Sequence, residues 1–161
     1  MLPDRLPENS TAVALNERFA DGILDAKLAL DGLTLVVEPS QLVSICHALK
    51  SDFQFERLSA VTAVDWWPSS PRFEIVYLLH SIHRNVRVRL KVRAQENEEI
   101  DTLCYVWRAA NWYEREVFDL FGVRFRNHPN LERIMMPADW EGYPLRKDYP
   151  VHGHKYSYSD D

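Results

Sequence analysis

Glu116 and Asp119, three positions apart in the run from Asn111 to Gly122, are the residues of this chain best spaced for acid–base chemistry. On a helix that spacing sets both carboxyls on one face, where a pair can relay a proton or help hold a cation. Arg115, Arg124 and Arg126 lie close by in sequence and offer neutralisation, which favours a structural or interfacial ion network over catalysis. The histidines are scattered. His80 and His83 fall near a strand end, where positions three apart face opposite sides. His152 and His154 stand in the last ten residues, and His128-Pro129 reads as a turn whose imidazole hydrogen-bonds a neighbour. None of them comes with the ligand spacing of a zinc site. A stand-alone metal enzyme would have to draw on Glu116, Asp119 and a histidine such as His128.

Other chemistries lack their residues. Cys46 and Cys104 form no grouped set for an iron–sulfur cluster and no CxxC pair, and read as reduced, buried thiols of a cytoplasmic protein. With five glycines the chain has neither a Gly-rich dinucleotide turn nor a phosphate loop, and no GxSxG elbow. A net charge of -5 argues against broad nucleic-acid binding. No segment approaches the ~20 apolar residues that span a bilayer, and the N-terminal residues lack the basic-then-apolar pattern of a secretory signal.

The elements that would position these residues follow from periodicity. The 161 residues, 46% of them hydrophobic, suit one compact domain plus an appendage. Thr11–Asp21 reads as a helix. Ile23–Leu30 and Leu33–Val37 read as strands around the Asp31-Gly32 hairpin signal. Pro39 opens a helix through Leu49 with Leu42, Val43, Ile45, Cys46 and Leu49 on one stripe. Phe55–Trp66 is a strand, Pro68–Pro71 a turn and Phe73–Ser81 a central strand. Asn85–Ala94 alternates, with Val86, Val88, Leu90 and Val92 on one face and Arg87, Arg89, Lys91 and Arg93 on the other. That basic face reads as the wet side of a sheet, with docking onto an acidic partner as the functional alternative. Nucleic acid comes last, because no aromatic rings are interleaved. Glu98–Ala110 is expected to be a helix with Ile100, Leu103, Cys104, Val106 and Trp107 inward. A second helix follows, capped by Asn111 with Glu114 completing a capping box, Arg115 reaching Asp119, and Gly122 as its stop. The fold class is α+β: a mixed, mostly antiparallel sheet packed with helices over residues 1–122, then an extended irregular tail over 123–161.

That tail is punctuated by Pro129, Pro137, Pro144 and Pro150, which block long helices and central strands. It also holds Phe125, Leu131, Ile134, Met135, Met136, Trp140, Tyr143, Leu145 and Tyr149, too many apolar groups for a disordered segment. Trp140, Tyr143, Arg146 and Tyr149 are of the types that dominate binding hot spots, so the tail is expected to wrap a partner protein rather than its own domain.

The series Glu114-Arg115-Glu116, Asp119, Phe121-Gly122, Phe125, His128-Pro129, Leu131, Arg133-Ile134, Pro137, Trp140, Gly142 and Pro144-Leu145-Arg146-Lys147-Asp148-Tyr149 resembles one family's signature. It is similar to that of the thirty-kilodalton subunit of respiratory complex I, the proton-pumping NADH:quinone oxidoreductase. The resemblance implies a subunit of the hydrophilic arm with no catalytic residue and no cofactor of its own. FMN, iron–sulfur clusters and quinone would be held by partner subunits. The partners it implies are the large quinone-site subunit and other hydrophilic-arm subunits, with the motif residues as the contact set. Membrane association would come only through the complex, on the cytoplasmic side of the bacterial inner membrane. Related ferredoxin-linked quinone reductases and energy-converting membrane hydrogenases use similar subunits, so the electron donor stays open. The sequence ends soon after Tyr158, with no fused partner domain expected.

Overall fold

The computed structural model describes residues 10–29 and 32–150. Residues 1–9, Leu30, Asp31 of the expected hairpin signal, and residues 151–161 with the pair His152/His154 lie outside the described residues. Helix α1 (Ser10–Arg18) leads through a short 3-10 turn (Ala20–Gly22) into strands β1 (Ile23–Ala29) and β2 (Gly32–Val37). A second 3-10 turn at Pro39–Gln41 precedes α2 (Leu42–Ser51), because proline is compatible with the first helical turn and its carbonyl accepts the Leu42 N–H. Strands β3 (Arg57–Asp65), β4 (Phe73–Ser81) and β5 (Val86–Ala94) follow. The five strands form one sheet in the order β1-β2-β5-β4-β3. Every neighbouring pair is antiparallel except β2 with β5, which run parallel and make the sheet mixed.

Period-two alternation decides which face is buried. Val88, Leu90, Val92 and Ala94 of β5 are buried with Leu33, Leu35 and Val37 of β2 and with Phe73, Ile75, Tyr77 and Leu79 of β4. Leu15 of α1 and Leu42, Ile45 and Leu49 of α2 join the same core. The alternate face is built from Arg87, Arg89, Lys91 and Arg93, as the alternation predicts.

The expected helix over Glu98–Ala110 does not form. Instead β6 (Glu99–Asp101) pairs in parallel with β7 (Arg124–Arg126), and the chain turns through 104–109. Ile100, Leu103, Val106 and Trp107 are buried as the helical spacing suggested, but tertiary partners override the periodicity. Arg126 donates twice to Asp101, at 2.7 Å from both Nε and Nη2. The Trp107 indole donates to the Phe55 carbonyl at 3.1 Å.

Helix α3 (Ala110–Phe121) packs against β3 and ends at Gly122, whose φ of 77° is the left-handed conformation that closes helices. Its N-cap is Ala109, with no capping side chain. The expected capping box therefore does not exist: Asn111 is already helical, and Glu114 turns into the core. No helix among the described residues is long and apolar enough to cross a membrane.

Candidate functional site

The motif residues gather at the two ends of α3 and along the segment that follows it. Each carboxylate has a definite environment. Glu114 is fully buried. It accepts from the Thr102 hydroxyl and from the Leu103 N–H at 2.7 Å, with the Cys104 thiol 3.6 Å away. It thereby holds the 102–104 turn out of helical conformation. Among the described residues, no arginine or lysine hydrogen-bonds to it. Burial raises its carboxyl to about 7, even though the Thr102 and Leu103 donors pull the other way.

The imidazole of His128 is fully covered, with Nε2 4.0 Å from Glu114. The turn predicted at His128-Pro129 is present, with the ring as its pin. Nδ1 accepts the Asn130 N–H at 3.1 Å, which makes Nε2 the protonated nitrogen, and Nε2 meets the Asn111 carbonyl at 3.1 Å. Burial lowers the His128 pKa, so the ring is neutral at physiological pH. Cys104, Glu114 and His128 bring one sulfur, one oxygen and one nitrogen within 4.8 Å of one another. A metal would need the Nε2 lone pair, and the Asn130 donor on Nδ1 stabilises the opposite tautomer. The Cys104 thiol reaches Glu114, while His128 is held by Asn111 and Asn130 rather than by Glu114.

Asp119 is also fully buried, and its network differs from the predicted pairing with Arg115. Its Oδ1 accepts from Arg133 Nη1 at 2.6 Å. Its Oδ2 accepts three successive backbone N–H groups, Ile134 at 2.9 Å, Met135 at 2.7 Å and Met136 at 2.9 Å. Burial pushes this carboxyl up, but the amides of Met136, Met135 and Ile134 with Arg133 outweigh it and leave the pKa lowered. Arg133 also donates to the carbonyls of Asp119 and Gly142, so one side chain ties the helix to two points of the following segment. Arg115 instead donates to the Glu132 carbonyl at 3.1 Å and stacks over Trp112. Glu116 is half-buried and is not brought together with Asp119 in any shared interaction.

The second cluster lies at the C-terminal end of α3. Arg146 Nε donates to the Phe121 carbonyl at 2.6 Å, and its guanidinium lies over the rings of Tyr143 and Phe73. Leu145 N–H donates to the Leu120 carbonyl at 3.0 Å. Gly122 is required here twice over. Its φ is left-handed, and a Cβ would stand 2.5 Å from both Arg146 Nη2 and Tyr143 Cε2.

Further along, Lys147 N–H donates to Asp65 at 2.9 Å, and Asp148 accepts from Arg72 at 2.6 Å. Arg72 also makes a two-point contact with Asp65, at 3.0 and 2.9 Å. Burial raises the Asp65 carboxyl, but Arg72 and the amides of Lys147 and Trp67 bring it down to about 2. Asp65 and Arg72 gave no signal in the sequence, because the link from Arg72 to Asp148 spans 76 positions.

The motif thus stitches residues 127–149 onto the protein's own α3 and sheet. Among the side chains left facing outward near α3 are large aromatic and apolar ones. Tyr105 is 72% exposed, Trp112 63% and Met135 57%. Tyr105, Trp112, Cys104, Arg108 and Pro129 border a cleft of about 440 Å³. Tyr105 was missed by sequence reasoning, which placed it on a helix that does not form.

Known proteins share both sequence and architecture with this one. The C subunit of the NADH-quinone oxidoreductase of Geotalea uraniireducens is 44% identical over 94% of this chain and 93% of its own length. That of Geobacter sulfurreducens is 47% identical over 92% of this chain and 93% of its own length. Among solved structures, the trypsin-resistant fragment (1-134) of Nqo5 aligns with TM-score 0.65 and 28% identity, covering 74% of this chain and 98% of the fragment. A chain of the membrane-bound sulfane sulfur reductase, an archaeal respiratory membrane complex, aligns with TM-score 0.75 and 26% identity over 87% of this chain and 84% of its own. Residues 35–155, which contain most of the sheet, α3 and the stitched segment, match the family described as the respiratory-chain NADH dehydrogenase 30 Kd subunit, and to that family the chain belongs.

Proposed function

We propose that this protein is a non-catalytic structural subunit of the hydrophilic arm of a proton-translocating NADH:quinone oxidoreductase. It docks on the large quinone-site subunit and holds its neighbours in register while electrons pass from NADH to quinone through FMN and iron–sulfur clusters held by partner subunits. It resides on the cytoplasmic side of the bacterial inner membrane, attached through the complex. The observation that carries this reading is the family match over residues 35–155, together with relatives of that subunit type aligned along nearly their whole length.

The geometry is in keeping with a role without chemistry. Asp119 and Glu114, the two buried carboxylates of α3, both accept hydrogen bonds from their own chain. Neither is presented to a cleft as a base would be. The outward Tyr105, Trp112 and Met135, with Arg108 and Arg115 beside them, form the surface we assign to the large subunit, since aromatic and arginine side chains supply most binding energy at interfaces. Positioning matters because displacements near 1 Å at a reacting site can cost about a hundredfold in rate.

Affinity purification of the protein from its native membrane, followed by mass spectrometry, tests the proposal. Co-purification of the large subunit and of iron–sulfur subunits is expected, and Trp112→Ala is expected to reduce that recovery. Recovery of the protein alone would refute the reading. The likeness to a sulfane sulfur reductase chain favours one second reading, an equivalent subunit of a related respiratory complex with another electron donor. Flavoprotein partners would separate the two.

A further inference from the structure

The face of the sheet opposite the core is the largest feature that the subunit reading leaves unused. Strand register defines its rows. Lys27, Thr34, Arg89, Leu78 and Ala60 lie side by side across all five strands. Asp25, Val36, Lys91, Val76 and Thr62 form the next row, followed by Arg93, Glu74 and Val64. At the other end Arg87, His80 and Arg57 share a row. Arg57, Thr62, Val64, Arg87 and Arg93 are exposed, so the described residues leave this side of the sheet facing outward.

The charge of this face is opposite to that of the whole molecule. It gathers six cationic side chains, Lys27, Arg57, Arg87, Arg89, Lys91 and Arg93, against the carboxylates Asp25 and Glu74. The whole protein has a net charge of -5. The positive surplus is patterned. Glu74 is 3% exposed and sits between Lys91, at 2.7 Å, and Arg93, at 3.8 Å. Val36, Val64, Val76 and Leu78 share these rows with the charged side chains. A depression of about 260 Å³ opens among Thr34, Ser59, Leu78, Arg87 and Arg89.

We infer that this face is a second protein-docking surface, and that its occupant is an acidic segment of another subunit with carboxylates interspersed among small apolar residues. Charge complementarity selects the sign of the partner. Its class follows from the details. The strand residues of this face include no Phe, Tyr or Trp on which bases could stack, which disfavours nucleic acid. The carboxylates Asp25 and Glu74 interrupt the cationic rows, a fixed charge pattern that suits a polypeptide better than a uniformly anionic lipid surface. The inference rests on the subunit reading for the statement that the partner belongs to the same complex. With the aromatic surface beside α3 assigned to one neighbour and the sheet face to another, the domain acts as a spacer between two subunits.

The test uses the intact complex and a zero-length carbodiimide, which couples lysine amines to carboxylates in direct contact. Lys27 is expected to yield cross-linked peptides to Asp or Glu of another subunit. In parallel, the double variant Arg57→Glu, Arg87→Glu is expected to lower recovery of the protein in the complex about tenfold at low salt. Its melting temperature in isolation should stay within a degree or two of wild type, since both residues are exposed. Recovery in the complex with Lys27 coupled to no other subunit, and with the double variant incorporated like wild type, would overturn the inference while leaving the subunit reading intact. Recovery without companions would overturn both. A further arm measures binding of the purified protein to polyglutamate, to poly(U) and to phosphatidylglycerol vesicles. Preference for polyglutamate, lost in the double variant, supports the proposal; tighter binding to poly(U) or vesicles through the same residues overturns it.

Discussion

Arg146 donates its Nε–H to the carbonyl oxygen of Phe121 at 2.6 Å, so the last residue of α3 and a residue 25 positions later are held as one unit. The contact satisfies one of the carbonyls that a helix end leaves without an intrahelical partner. It also places a guanidinium beside Tyr143 and Phe73. The irregular segment after α3 has few backbone partners of its own, and side chains such as this one fix its path.

Arg146→Ala is therefore expected to destabilise the isolated protein. Loss of a charged hydrogen bond to a half-covered carbonyl costs about 2 kcal/mol. The Arg146–Glu96 pair adds little, because Glu96 is about half exposed. Thermal melts and limited proteolysis check this: the variant should melt earlier and be cut first within residues 127–150. An unchanged melt and cleavage pattern would contradict the clamp.

Gly122→Ala should be worse than an ordinary helix-end substitution. The left-handed φ costs any L-residue on the order of 1 kcal/mol, and the new methyl must displace Tyr143 and Arg146 from 2.5 Å. A loss of about 2–4 kcal/mol is expected from strain and overpacking together. Chemical denaturation measures it directly, and the double variant with Tyr143→Ala should recover part of the loss.

Asp119→Asn tests the buried turn. The amide nitrogen would face either Arg133 or the three backbone N–H groups, placing donor against donor whichever way it is oriented. Leaving Arg133 unpaired in a partly buried site costs about 3 kcal/mol or more. Hydrogen exchange at the amides of Ile134, Met135 and Met136 should accelerate well beyond the global change.

Glu114 sets a pH dependence whose sign is opposite to that of most carboxylates. Its folded pKa, about 7, lies above its ordinary value of 4.5. The folded state therefore binds the extra proton between those values, and stability declines as pH rises through that window. The decline amounts to about 3 kcal/mol at most, at ~1.4 kcal/mol per pH unit. Asp65, lowered to about 2 from 3.8, acts at the other end: its contribution is present above pH 4 and is lost as pH falls through 2. Urea midpoints for wild type should fall between pH 5 and pH 8. Glu114→Gln keeps an acceptor for Leu103 and should flatten that part of the profile. An equal slope in both proteins would assign the titration elsewhere.

Strong periodicity was enough to read most of the sheet. The alternation of Val86–Ala94 identified β5 and both of its faces, and the Pro39 start located α2. The parallel pairing of β2 with β5 was not legible, because register between strands some 50 residues apart leaves no local trace. The 98–110 segment reads as helix because Ile100, Leu103, Val106 and Trp107 recur at helical spacing. What excludes the helix is Glu114, buried beneath the segment, and Arg126 across from Asp101. The motif residues stood out as a set through their resemblance to one family's signature. Their division of labour within the fold, with Asp119 gathering Arg133 and Arg146 closing on Phe121, depends on contacts 14 to 25 positions apart that only the fold supplies.

The central claim, that this protein contributes geometry and its companions the reaction, is tested most directly by reconstitution. Membranes from cells lacking the protein are assayed for NADH:quinone reductase activity before and after addition of the purified protein, which is also assayed alone. Restoration of activity at one copy per complex, with no NADH oxidation by the protein by itself, is the predicted result. Turnover of NADH by the isolated protein, or full activity in membranes that never contained it, would contradict the account.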